Sequence, residues 1–112
     1  MPTRDRVVSL LCAAVWVAVQ SGCASFEGAR FYKRGSEALE RGDADQAIAD
    51  LERAAELVPH ASEIQNHLGL AYEVAGRHES ATSAFHRAIE LDCDNEAAQA
   101  NLRLAQKGLA EP

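Results

Sequence analysis

Positive charge is scarce in this chain, which carries 11 lysines and arginines against 17 aspartates and glutamates, for a formal net charge of −6. A protein with this acidic excess repels nucleic acid and anionic lipid headgroups. We therefore expect no nucleic-acid partner. Attachment to a membrane would need an anchor other than an overall basic character.

Motifs for catalysis and for metal binding are also missing. None of the four histidines belongs to an HExxH motif or stands at ligand spacing from a cysteine. The sequence has no glycine-rich phosphate loop and no nucleophile elbow. We therefore expect no enzyme activity, no catalytic residues, no metal site and no cofactor.

The chain also lacks an apolar run long enough to span a membrane, which takes about 20 apolar residues in a helix. The longest run, residues 7–19, follows Arg4 and Arg6 and precedes the small residues Ser21 and Gly22. A positively charged N-terminal region, an apolar central region and small residues at the cleavage site are typical of an export signal peptide. Residues 1–22 are interpreted as this signal, and an uncleaved inner-membrane anchor is one alternative.

The stretch Ser21-Gly22-Cys23 resembles the lipobox of bacterial lipoproteins, although Gln20 replaces the usual aliphatic residue. The resemblance implies that the Cys23 thiol carries a diacylglyceryl group and a further amide-linked acyl chain, such as palmitate. Two or more acyl chains give a stable anchor. Ala24 after the cysteine implies the periplasmic face of the outer membrane. Plain secretion with a free thiol is the remaining alternative.

The chain after this signal, residues 23–112, is more acidic than the whole. Loss of Arg4, Asp5 and Arg6 leaves 9 basic and 16 acidic residues, and 9 − 16 gives a formal charge of −7. The two remaining cysteines are Cys23 and Cys93, so acylation of Cys23 rules out an internal disulfide. Residues 23–27 are interpreted as the anchor and linker, and stability must come from packing.

The sequence repeats itself with a period of 34 residues. Without a gap, residues 28–61 align with residues 62–95 and share seven identical positions, namely Gly35/Gly69, Gly42/Gly76, Ala47/Ala81, Arg53/Arg87, Ala54/Ala88, Glu56/Glu90 and Leu57/Leu91. A repeat of this length is the sequence signature of a stacked architecture. We take the two segments as two copies of one structural unit.

Residues that favour helix ends and helix starts divide each copy into two helices. Gly42 and Gly76 predict helix ends, and Pro59 ends the second helix. Asp43 predicts a helix start, as does Ser62 with a glutamine three residues later. Apolar residues recur at three- and four-residue steps, and no segment after the signal has the pattern of a strand. The sequence therefore predicts an all-α protein.

The second copy resembles the tetratricopeptide repeat signature, on the positions Leu68, Gly69, Tyr72, Gly76, Ala81, Phe85 and Ala88. The resemblance implies antiparallel helix pairs stacked as a short solenoid, closed by a capping helix over residues 96–110. The first copy departs from the signature at Arg34 and Ala38.

The glycines and the large residues of the signature predict specific contacts. We expect Gly35 and Gly69 to lie where the two helices of a repeat cross most closely, with Ala47 and Ala81 opposite them. Tyr72 and Phe85 are expected to fill the space toward the next hairpin.

The same resemblance implies a concave groove that holds a peptide or helix of another protein. The groove positions transferred to this chain are Tyr32, Ser36, Leu39, Glu63, Asn66, Leu70, Glu73, Ala100, Leu104 and Lys107. Their mixture of apolar and acidic side chains suits a partner with aliphatic anchors and a basic flank. Alternatively, leucines such as Leu39 and Leu70 are packing residues and the acids are merely solvated.

These features predict a lipid-anchored scaffold that docks other envelope proteins, in which the groove does the binding. The alternative in a different class is a soluble exported module without a lipid anchor, which self-associates through its exposed repeat ends into a homo-oligomer.

We expect the substitution Cys23→Ser to move the protein from the membrane fraction to the soluble fraction, because serine cannot take the thioether-linked lipid. Cell fractionation and immunoblotting of both forms, with palmitate labelling, measure this. Recovery of the wild-type protein in the soluble fraction would contradict the anchor.

Overall fold

The computed structural model describes the backbone of residues 3–110 and the side chains of residues 22–108. It contains five helices, and residues 3–110 include no strand, so the all-α prediction is confirmed. In chain order the helices are α1 (Thr3–Glu40), α2 (Ala44–Leu57), α3 (Ser62–Val74), α4 (His78–Leu91) and α5 (Glu96–Ala110).

The helices form a linear stack. α1 packs against α2 as hairpin 1, and α3 packs against α4 as hairpin 2. α3 also packs against α2, and α5 packs against α4, so each unit rests on the one before it. This is the short solenoid of two hairpins and a final capping helix that the repeat predicts.

α1 is longer than the first repeat requires and runs past Cys23 without a break. Residues 3–22 of the predicted signal and the predicted attachment point Cys23 therefore lie on one helix, of which the side chains are described from residue 22 onward. Residues 1 and 2 of the predicted signal lie outside the described residues. No helix in the described part of the chain is both long enough and apolar enough to cross a membrane.

The turns inside the two hairpins have the same construction. Gly42 and Gly76 adopt φ of 77° and 74°, a left-handed conformation that glycine takes without strain. The amide after each glycine, in Asp43 and in Arg77, closes the helix by donating to a carbonyl five residues earlier. Asp43 also caps α2 by accepting a hydrogen bond from the Gln46 amide at 3.2 Å. The predicted helix ends and the Asp43 cap are confirmed.

The predicted cap at Ser62 is wrong, because Ala61 is the N-cap residue of α3 and Ser62 is its first helical residue. The Ser62 hydroxyl instead donates to the Ala88 carbonyl at 2.8 Å and accepts from the Asn95 amide at 2.7 Å. Asn95 caps α5, since its Oδ1 accepts from the Ala98 amide at 3.0 Å. Ser62 thus joins α3 to the end of α4 and to the start of α5.

In each hairpin, the glycine at the shared repeat position, Gly35 or Gly69, lies in tight contact with the partner helix. A Cβ at Gly35 would lie 2.7 Å from Cγ of Leu51, and a Cβ at Gly69 would lie closer still to the ring of Phe85. Leu51 and Phe85 are the same repeat position, and both are almost fully buried. A tight helix–helix contact at both glycines is therefore confirmed, against the same repeat position of the partner helix, while Gly28 makes a further tight contact with Val58 in hairpin 1.

The residues opposite these glycines differ from the prediction. Leu51 and Phe85 contribute the nearest atoms, whereas Ala47 and Ala81 do not. Both alanines are nevertheless fully buried, Ala47 in the cluster of α1–α3 and Ala81 in the cluster with Phe85 and α5. The glycine makes room for a large side chain one turn further along the partner helix.

Tyr72 links the two hairpins. Its ring packs against both core clusters, and its hydroxyl donates to Glu52 of α2 at 2.7 Å. Burial, together with Glu52, raises the pKa of Tyr72 to about 12. Tyr72 therefore reaches back to hairpin 1 through its hydroxyl, in addition to packing forward against the cluster that includes Ala105 of α5. Phe85 also contacts the next unit, through Ala105 of α5.

A cluster of polar side chains lies on hairpin 1, at the beginning of the stack. Arg34 forms an ion pair with Asp50, with Nε donating to Oδ2 at 3.1 Å, and Gln46 donates to the same oxygen at 2.9 Å. Burial raises the pKa of Asp50, but the hydrogen bonds from Arg34 and Gln46 outweigh it and hold the pKa below its usual value. Hairpin 2 has Leu68 and Ala84 at the positions of Arg34 and Asp50.

We expect Gly69→Ala to destabilise the protein by about 1 to 3 kcal/mol, because the new methyl group overlaps the buried Phe85 ring. Chemical unfolding followed by circular dichroism measures the change. Gly108→Ala is the matched control, since a Cβ at Gly108 meets no atom within 4 Å. This control should raise stability by up to about 1 kcal/mol through helix propensity. Equal effects of the two substitutions would contradict the packing at Gly69.

Candidate functional site

Nine of the ten predicted groove residues occupy three recurring repeat positions. The helices α1, α3 and α5 are successive first helices of the repeat, and the 34-residue period relates their side chains. The three sets are Tyr32/Asn66/Ala100, Ser36/Leu70/Leu104 and Leu39/Glu73/Lys107. Glu63, the tenth, lies one turn before Asn66 on α3.

Direct contacts join these three helices side by side. The Tyr32 hydroxyl lies 3.3 Å from Nδ1 of His67, and the two rings meet edge to face at 5.1 Å between centroids. Asn101 donates from its side-chain amide to Oδ1 of Asn66 at 2.9 Å. His67 and Asn101 are equivalent repeat positions, so each helix is joined to its predecessor by the same kind of contact.

In the α1 half of the predicted groove, two residues pack against the protein's own core. Tyr32 and Leu39 pack against the core cluster that contains Ala38 and Leu51. Burial, and then the nearby charge of Glu63, raises the pKa of Tyr32. Tyr32 and Leu39 therefore make structural contacts in this part of the molecule.

The other half of the predicted groove, between α3 and α5, contains a cavity. Leu70, Glu73 and Leu104 line a cavity of about 250 Å³ together with His78, Phe85, Asn101, Ala105 and Gly108. Leu104 is 65% exposed and is one of the few large apolar side chains in the described residues that face solvent. The cavity thus offers an apolar lining that this part of the chain leaves uncovered.

An acid borders this apolar lining. Oε2 of Glu73 lies 3.0 Å from Nδ1 of His78, while Oε1 is buried without a hydrogen-bond partner in the described residues. A buried carboxylate oxygen without a partner favours a donor from a bound molecule. The site can therefore hold an aliphatic side chain and a neighbouring cationic or amide donor.

Two other predicted residues, Glu63 and Asn66, line a different cavity of about 760 Å³ at the hairpin ends. Its rim also carries Asp92, Asp94 and Glu96. Asn66 is nearly buried and is engaged by Asn101.

In the described part of the chain, no group of three or more histidine, cysteine or acidic side chains is placed to hold a metal ion.

The remaining predicted residues, Ser36, Ala100 and Lys107, lie on the same helices but line neither cavity. His67, His78 and Asn101 take part in the site although the sequence analysis did not select them. Two of these could have been found from the repeat, because His67 and Asn101 are one period apart. His78 has no such signal, since only its position beside Glu73 gives it a role.

Comparison with known proteins gives one family. A model described as a tetratricopeptide repeat matches residues 32–96, which run from the last quarter of α1 to the first residue of α5 and make up more than half of the chain. No curated protein matches the chain.

Proposed function

The chain belongs to the tetratricopeptide repeat family, whose repeats are protein–protein interaction modules, and we propose that it is a lipid-anchored adaptor of the bacterial cell envelope. In this proposal the cavity between α3 and α5 binds a segment of another envelope protein. The observation that carries it is the position of exposed Leu104 at the same cavity as a Glu73 carboxylate oxygen that is buried and accepts no hydrogen bond from the described residues.

Apolar contact supplies most of the proposed affinity. Leu70 and Leu104 are one repeat apart and border the same cavity, so one aliphatic side chain of a partner can touch both. Burying a leucine-sized side chain contributes about 1.5 to 3 kcal/mol. This contact adds to the affinity, while neighbouring polar groups of the cavity set the orientation of the partner and contribute the remaining contacts.

Charge supplies the proposed selectivity. Glu73 lies at the cavity, and Glu63 lies further along α3 in a second cavity rimmed by acids. A partner segment with a lysine or arginine next to its aliphatic residue would match this arrangement. Acidic segments would be repelled by the same groups.

Anchoring places this adaptor at a membrane. The exposure of Cys23 on α1 leaves its thiol accessible, as acylation requires. We propose the periplasmic face of the outer membrane as the location, on the resemblance to a lipoprotein signal and on Ala24. Envelope assemblies such as pili, secretion machines and cell-wall enzyme complexes are the kind of partner that this location offers.

In-cell photo-crosslinking tests the binding site. A photoreactive residue at position 104 should give a discrete adduct, whereas the same residue at exposed Ala49 on α2 should not. Mass spectrometry of the adduct then identifies the partner, and the crosslinked segment should contain an aliphatic residue beside a basic one.

Substitution of a residue that lines the cavity tests the same site through binding affinity. We expect Leu104→Glu to weaken binding of the captured segment by at least about tenfold, because it removes the apolar contact and adds an acid. Ala49→Glu makes the same change in charge away from the cavity and should leave binding unchanged. Equal crosslinking from positions 104 and 49, or equal effects of the two substitutions, would contradict the proposed site.

A further inference from the structure

The outward face of α1 differs in character from the same face of α3. On α3 this face packs against hairpin 1 and is apolar, with Ile64, Leu68 and Ala71 buried and Ala75 half-buried. The equivalent residues of α1 are charged and exposed, namely Arg30, Arg34, Glu37 and Arg41. α5 keeps the apolar pattern at Ala98, Leu102 and Ala105. Three arginines therefore stand at positions that serve stacking in the other units.

This charged face cannot accept a further hairpin of the same type. Stacking would bury Arg30 and Arg41, which form no ion pair in the described part of the chain. An unpaired buried charge is strongly unfavourable. The face must therefore stay in water or meet a surface that carries negative charge.

Cys23 lies on the same stripe of α1. At 100° per residue, residues 23, 30, 34, 37 and 41 fall within about 60° of one another around the helix axis. α1 is continuous from Cys23 to Glu37, and Arg41 is the first residue after its end at Glu40. Phe26, which is 70% exposed, borders this stripe. A surface that holds acyl chains on Cys23 would therefore also lie next to the arginines and Phe26.

The charge of this part of the chain is opposite to that of the rest. Residues 23–41 carry four basic and three acidic side chains, for a net charge of +1, whereas residues 42–112 carry five basic and thirteen acidic side chains, for −8. The overall acidity of the protein therefore conceals a locally basic face. Long-range repulsion from an anionic surface is weakest when α1 faces that surface.

We propose that the outward face at the end of α1, formed by the unpaired Arg30 and Arg41 with Phe26, and beside Arg34 in its ion pair with Asp50, lies on an anionic phospholipid surface. Arginine binds phosphate oxygens in a bidentate manner, and each basic residue near an anionic membrane adds to the affinity. An exposed aromatic ring inserts at the boundary between headgroups and acyl chains.

This orientation has a consequence for the groove. α1 begins the stack and α5 ends it, so the cavity between α3 and α5 is held on the side away from the lipid surface. The inference shares with the proposed function the attachment at Cys23. Its test uses a chain that cannot be acylated, so failure of the anchor and failure of this face are distinguishable.

Vesicle sedimentation tests the proposal. The full chain with Cys23→Ser is mixed with vesicles of phosphatidylcholine alone or with about one third phosphatidylglycerol, at low and high salt. We expect the double substitution Arg30→Glu with Arg41→Glu to weaken partition onto the anionic vesicles by about 30-fold or more, and high salt to act in the same direction. Partition onto phosphatidylcholine should change little.

The matched control is Arg53→Glu with Arg87→Glu, which changes the net charge equally on α2 and α4. Circular dichroism of both variants checks that they fold. The effect of salt on vesicle partition is also measured on the chain without the arginine substitutions, so this readout does not depend on the folding of a variant. An equal loss in both double variants, or no preference for anionic vesicles, would overturn the proposal. Self-association that is lost only with Arg30→Glu and Arg41→Glu, without a vesicle preference, would assign the face to a second copy instead.

Discussion

The crossing of the two helices at Gly35 and at Gly69 is the constraint on which the rest of the structure depends. Because neither position has a side chain, Leu51 and Phe85 can fill the space between the helices of their hairpins. The same crossing in both hairpins gives α1 and α3 the same relation to their partners. The repeat positions on α1, α3 and α5 therefore come to lie side by side, joined by the Tyr32–His67 and Asn66–Asn101 contacts.

The sequence predicts the parts of this fold that short-range patterns determine. The left-handed glycines Gly42 and Gly76, the Asp43 cap and the period of 34 are all visible within one repeat. The hydroxyls of Ser62 and Tyr72 are different, because their partners lie 20 to 33 residues away. A serine at the start of a helix looks like a cap until the carbonyl of Ala88 is in place beside it.

Departures from the repeat signature have physical explanations in the structure. Arg34 replaces a buried leucine at the exposed start of the stack, and Asp50 replaces a small apolar residue as its partner. The two charges pair with each other, and without Arg34 the buried carboxylate of Asp50 would lose its counter-charge. Along the candidate groove, Tyr32, Leu39 and Leu70 pack against the core clusters, whereas Leu104 is exposed beside a cavity. The sequence could place these residues on common helix faces, but only the structure shows which of them remain exposed.

Proton–proton contacts in the NMR spectrum of the protein test the stacked hairpins most directly. The account predicts nuclear Overhauser effects from the α protons of Gly35 to the methyl groups of Leu51, and from those of Gly69 to the ring of Phe85. Matching contacts in the two hairpins would establish the equivalent crossings from which the groove is built. If Gly69 shows no contact with Phe85 while Gly35 contacts Leu51, the hairpins are not equivalent and the account is contradicted.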